Sequence, residues 1–226
     1  MSRLSIQQLV LLACLVAVAP DCQPQVTEAA NVHEIAKRVD EHYNHLASLR
    51  ADFEERYQGA GVERAESGVL WLKRPGKMRW EYLQPRQKLF ISDGKRAYFY
   101  VSGESQARRA DVKNLDDLHS PLRYLLGKTR LEKEFEGLRL GPAGSMQSGN
   151  VVLVGRPVAL ADRVEEVRLE INPAFEIVRI EILELGGSRT EFRFQRLNAN
   201  LPAADNLFRF SPPAGVQIIE SEGLTP

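Results

Sequence analysis

The chain has 226 residues, 43% of them hydrophobic and 27% charged, enough for one large β domain or two small ones. Lys plus Arg and Asp plus Glu number 30 each, which leaves no electrostatic footprint for nucleic acid. The 2 cysteines, Cys14 and Cys22, both lie near the N-terminus and exclude a disulfide framework in the folded part.

At the N-terminus, Arg3 precedes an apolar run from Leu9 to Ala19 and then Pro20-Asp21-Cys22. This is the pattern of a secretory signal peptide, too short to span a membrane as a stable helix. Residues 1–29 are assigned to the signal, with cleavage between about residues 19 and 30, and residues 30–226 to one domain. Leu11-Leu12-Ala13-Cys14 is similar to the acylation site of bacterial lipoproteins, so acylated Cys14 is a rival outcome.

Asn31 and Glu34 form a capping box, and Val32, Ile35, Ala36, Val39, Tyr43 and Leu46 follow at helical spacing, predicting a helix of about four turns. From Leu49 the period changes to two, with Ala51, Phe53, Glu55 and Tyr57 on one face of a strand. The next stretch, Gly68 to Tyr82, is the most informative. Val69 and Trp71 take one face and Leu70 and Leu72 the other, so both faces are apolar up to the bend at Arg74-Pro75-Gly76. Met78, Trp80 and Tyr82 then alternate with Arg79 and Glu81, as a returning strand with one buried face should.

Further strands are expected over 88–91, 97–101 and 106–110, with Asp93-Gly94 as a tight turn. Leu115, Leu118, Leu122 and Leu125 then recur at spacings of three and four, with Ser120-Pro121 to start a short helix, Leu126 near its end and Gly127 to stop it. Strands resume over 135–140, 151–154, 164–171, 175–185 and 189–197, punctuated by Gly141-Pro142, Gly149-Asn150, Asn172-Pro173 and Gly186-Gly187. The result is a large antiparallel sheet with too little helix to cover it. Either the sheet curls and packs on itself, or it encloses a cavity for an apolar guest.

Other chemistry is sparse. His42 and His45, three apart on the first helix, can share a face with His33, yet no Cys or carboxylate cluster completes a metal site. Solvated histidines are the simpler reading. Glu54-Glu55, Asp116-Asp117 and Glu165-Glu166 are adjacent pairs, which on a strand point to opposite faces and make no acid/base couple. No catalytic site, metal or cofactor is expected.

Gly68 to Tyr82, followed by Ser92-Asp93-Gly94-Lys95, Tyr98-Phe99-Tyr100 and Phe208-Arg209-Phe210-Ser211-Pro212-Pro213-Ala214-Gly215-Val216, resembles the LolA family of periplasmic lipoprotein carriers, in order and spacing, from about Val32 to Ile219. Ser120 to Leu126 looks like that family's lid helix. The resemblance implies an α+β fold: an incomplete, unclosed antiparallel β-barrel of about eleven strands, with a helical lid over a hydrophobic concave face. It implies that Arg74 ties the lid to the sheet, that Leu115, Leu118 and Leu126 belong to the lid, and that the concave face holds acyl chains.

Trp71, Met78, Trp80, Tyr82, Leu122 and Leu125 are the candidate lining residues. The implied partners are acylated lipoproteins, an inner-membrane ABC-type release complex and an outer-membrane receptor, met by a monomeric, non-catalytic periplasmic carrier. The rivals are an anchored receptor of the same fold, a glycolipid carrier or lipid sensor, and a self-filled structural protein.

Overall fold

A period of two governs most of the chain after residue 48, and the computed structural model, which describes residues 25–112, 124–125, 130–142, 147–221 and 224, converts it into strands. Helix α1 (Gln25–His45) comes first. It leads into β1 (Ser48–Gly59), β2 (Val62–Lys73), β3 (Lys77–Gln84), β4 (Lys88–Asp93), β5 (Arg96–Val101) and β6 (Gln106–Asp111). The single-turn α2 (Leu131–Glu134) runs straight into β7 (Phe135–Leu140). Then follow β8 (Val151–Pro157), β9 (Val164–Ile171), β10 (Ile177–Glu184), β11 (Arg189–Ala199) and β12 (Gln217–Glu220).

All belong to one 12-stranded sheet in the order β12-β6-β5-β4-β3-β2-β1-β11-β10-β9-β8-β7, left unclosed between β12 and β7. Every pairing is antiparallel except β12 on β6, which is parallel. The turn between β4 and β5 is made as expected: the Asp93 carboxylate accepts the Lys95 and Arg96 amides at 2.8 Å each, and Gly94 supplies the positive φ of 93°.

One local expectation changes, and the strand number is refined from about eleven. Asn31 lies inside α1 rather than capping it, because the helix already runs from Gln25. The sheet has 12 strands, since β12, exposed at every residue, has no alternation to announce it. Leu115, Leu118, Leu122 and Leu126, with residues 1–24 and both cysteines, lie outside the described residues.

The sheet curls. Trp80 on β3 and Phe192 on β11 are three strands apart, about 14 Å on a flat sheet, yet their ring centroids are 5.8 Å apart. The face bearing them is therefore the concave one, and α1 lies on it. Of the stripe expected from the helical spacing, Val32, Ala36, Val39, Tyr43 and Leu46 are buried there, and Ile35 is partly buried against them.

On the outer face, β9 to β11 carry a ladder of ion pairs. Arg179 reaches Glu181 at 2.6 Å, Glu191 at 2.8 Å and Glu170 at 3.4 Å. Glu191 also takes Arg193 at 2.5 Å, and Glu166 joins Arg168 and Arg139 at 2.7 and 2.9 Å. Glu170 and Glu181 are almost fully buried, and the several cations around them offset the cost of burying charge.

Candidate functional site

The concave floor is built from rings. On β3, Met78, Trp80 and Tyr82 face inward opposite Leu72, Leu70 and Gly68 of β2. On β1, Phe53 lies 4.7 Å from the Trp80 ring and 5.0 Å from that of Tyr82, and Phe192 stacks on Phe194 at 6.4 Å. Gly68 is what lets the Phe53 and Tyr82 rings meet. It sits between them in register, and a Cβ there would stand 1.9 Å from the Glu81 carbonyl oxygen.

Trp71 is a correction. It pairs with Arg50 and Arg79, so it lies on the outer face, half-buried, with its back to the floor. Both alternating sets of β2 are apolar up to the bend, and only the register to β3 distinguishes them. Leu125 is buried with the core, beside Tyr124, whose ring lies 5.0 Å from Phe135.

Toward the β1–β2 hairpin the floor turns polar. Tyr82 donates to Glu55 at 2.8 Å, and Glu55 stands opposite Glu66 in register. Lys88 donates to Glu66 at 2.8 Å while lying 4.1 Å from the Tyr82 ring centroid, and Arg64 spans both acids at 3.1 and 3.7 Å. Burial raises the Glu55 carboxyl above its usual range, more than the Tyr82 hydrogen bond lowers it. Burial, then the neighbouring Glu55 charge, likewise raises the Tyr82 phenol. The hydroxyl stays a donor.

At the opposite end the helix is strapped down. Arg74 donates from Nη1 to the Asn44 carbonyl at 2.6 Å and from Nη2 to the Tyr43 carbonyl at 2.7 Å. These are carbonyls of the last turn of α1, where the run of helical amides ends; the Tyr43 carbonyl also accepts the Leu46 amide at 3.3 Å. The neighbouring cations are employed elsewhere: Lys73 and Lys77 bind Asp205 at 2.6 and 2.9 Å and hold its carboxyl down to about 2, and Arg79 binds Glu81 at 2.9 Å. Beside the strap a cavity of about 20 Å³, room for about one water, touches Leu46, Leu72, Arg74 and Leu125.

Tyr43 serves a second wall. Its hydroxyl, buried at 1% residue exposure, accepts the Ile177 amide of β10 at 2.8 Å. A third fastening joins α1 to α2, where the Asp40 carboxylate accepts the Leu131 amide at 3.0 Å. The sequence does not disclose the Tyr43 role, since there it is one of six apolar-stripe residues and Ile177 is distant. Its one signal is the phenol itself, a polar tip in a stripe that Leu would fill.

The histidines do not converge. His33 donates to Glu132 at 2.9 Å, His45 to the Glu41 carbonyl at 2.6 Å, and the His42 ring rests edge-on to Tyr43 at 5.0 Å. Among the described residues no group of three His, Cys, Asp or Glu is placed to hold a metal ion, and no helix is long and apolar enough to cross a membrane.

A curled, unclosed sheet with an aromatic floor and a helix strapped across it defines the class of half-barrel binding proteins. Comparison with known proteins narrows the class. The family model described as "Outer membrane lipoprotein carrier protein LolA" matches residues 44–211. An outer-membrane lipoprotein carrier protein of Nitrosospira multiformis is 30% identical over 176 residues, 76% of this chain and 82% of its own. One of Bordetella avium is 29% identical over 223 residues, 97% of each chain. Among solved structures, the Mycobacterium tuberculosis lipoprotein LppX shares the fold at a TM-score of 0.52 and 12% identity, over 77% of this chain and 98% of its own. The chain belongs to the LolA family.

Proposed function

We propose that this protein carries the acyl chains of lipoproteins through the periplasm on the concave face of its sheet, with α1 as a closure that cargo must displace. The observation that carries the reading is the floor: aromatic rings of β1, β3 and β11 gathered under a helix that is fastened at its C-terminal half by hydrogen bonds. Family membership along most of the chain supports it. The relatives matched are carriers by name, which favours a carrier over the anchored-receptor reading.

The magnitudes suit a carrier. Burying acyl chains contributes about 0.8 kcal/mol per CH₂, so a chain of about 16 carbons is worth on the order of 10 kcal/mol. The fastenings of α1 are worth about 1–3 kcal/mol each. Cargo therefore wins against the closed helix, while the closure lowers its apparent affinity and permits release.

In this reading Met78, Trp80 and Tyr82 contact the chains, Leu122 and Leu125 line them from the lid side with Leu115, Leu118 and Leu126, and Arg74 is the latch. The signal peptide directs export, an ABC-type complex in the inner membrane loads the carrier, and an outer-membrane receptor unloads it. No catalysis is required.

The test is to incubate purified mature protein with spheroplasts holding newly made lipoproteins and to assay acylated lipoprotein in the soluble fraction. A one-to-one soluble complex is expected. No release, with the loading complex shown to be active, would overturn the proposal.

A further inference from the structure

The floor contains one polar atom that an apolar-chain carrier does not need. The Trp80 indole Nε1 is buried and, among the described residues, has no hydrogen-bond acceptor. Its surroundings are rings: Phe53 at 4.7 Å, Phe192 at 5.8 Å and Tyr82 at 6.3 Å between centroids. The Tyr82 hydroxyl is already committed to Glu55. A buried donor without an acceptor is costly, and Trp N–H groups in protein interiors ordinarily have one. Phe at this position would give an apolar floor without the orphan donor.

Resting on the carrier reading above, we infer that the Trp80 indole N–H is a donor reserved for the carbonyl oxygen of a cargo acyl group, in an ester or an amide linkage. Hydrocarbon alone gives the floor no reason to hold an indole nitrogen. An acyl carbonyl brings into the same apolar space an acceptor that also leaves water on binding, so the two groups satisfy one another. The closed, empty protein then carries an unmet donor that cargo relieves, and the floor selects for acylated over alkylated lipids of equal chain length. Trp80 thereby adds chemical selectivity to a site whose other rings supply only area.

The experiment uses the mature protein and three synthetic cysteine peptides. The first carries two palmitoyl esters on an S-linked glyceryl group, the second two hexadecyl ethers, and the third the two ethers plus an N-palmitoyl amide. Wild type is expected to bind the diester about fivefold more tightly than the diether, the worth of one net hydrogen bond. In Trp80→Phe the diester-to-diether ratio falls to about one, whatever the loss of ring area does to the affinity for both lipids together.

Independently of any variant, the ¹⁵N-indole spectrum of wild type reports on the donor. The Trp80 proton moves downfield with diester and not with diether, while Trp71, on the outer face, is the internal control. If the N-acyl amide is the acceptor, the third peptide produces the shift and the first does not, which also supports the proposal. Equal affinities for the diester and the diether, with a Trp80 resonance that none of the three peptides moves, would overturn the hydrogen bond and leave the carrier reading intact. Binding of none of them would overturn the carrier reading and this inference together.

Discussion

On the outer face Arg179 meets Glu170, Glu181 and Glu191, whereas on the concave face, among the described residues, the Trp80 indole meets no acceptor and Glu55 holds a phenol and the Arg64 guanidinium at 3.7 Å. Both are buried polarity on the same twelve strands. Around Arg179 each of these acids meets at least one cation, and Glu181 and Glu191 meet more than one. The concave face leaves its polarity incompletely satisfied, and a surface in that condition gains by taking up something else. Rigidity and receptivity are thus divided between two sides of one layer.

The contrast is broken most severely from the outside. Arg179→Met leaves three carboxylates facing one another, two of them almost fully buried, and is expected to cost about 3–5 kcal/mol, read by urea unfolding. A cost below about 1 kcal/mol would mean that the ladder is solvated and the contrast false.

From the inside the expected effects are smaller and appear as receptivity. Tyr43→Phe orphans the Ile177 amide and is expected to cost about 1–3 kcal/mol, together with faster uptake of an environment-sensitive hydrophobic dye. Arg74→Leu removes two hydrogen bonds at a half-buried site and is expected to cost about 1–2 kcal/mol, raise dye uptake and retain cargo longer in transfer to the receptor. Because both loosen Tyr43, the double variant should cost less than the sum. Strict additivity would show two independent fastenings.

The smallest effects are those of pH, and the faces have opposite signs. Glu55 has its folded carboxyl raised, so its contribution is fully present below the ordinary value of 4.5 and is lost as pH rises through the folded value. For Glu191, burial pushes the carboxyl up, but hydrogen bonds from Arg179 and Arg193 more than offset this and leave it low. Its contribution is present above 4.5 and is lost as pH falls through the folded value. Glu55→Gln should flatten the stability profile above pH 4.5, and Glu191→Gln should flatten it below. A change in the same window for both would remove the distinction.

Much of this was legible in the sequence. The alternation of Met78, Trp80 and Tyr82 marked the inner side of β3, and every strand from β1 to β11 was announced by period or by its turns. What was not legible depends on register. Trp71 and Leu70 are equally apolar, and their opposite fates are decided by which backbone pairs lie across from them. Phe192 and Phe194 alternate with Glu191 and Arg193 as any half-buried strand does, and nothing local says that their rings close over Trp80. The Tyr43 contact with β10 spans 134 residues, beyond any local pattern. The cations at the Pro-Gly bend look interchangeable in sequence, and only Arg74 turns toward α1 because Asp205 and Glu81 engage the others.

The Tyr43 hydroxyl has one more consequence. The Ile177 amide proton is shielded by a side chain from another element rather than by a neighbouring strand, so it can meet solvent only when the last turn of α1 departs. Deuterium replacement at that single backbone position becomes a clock for helix departure, readable without any label on cargo or protein.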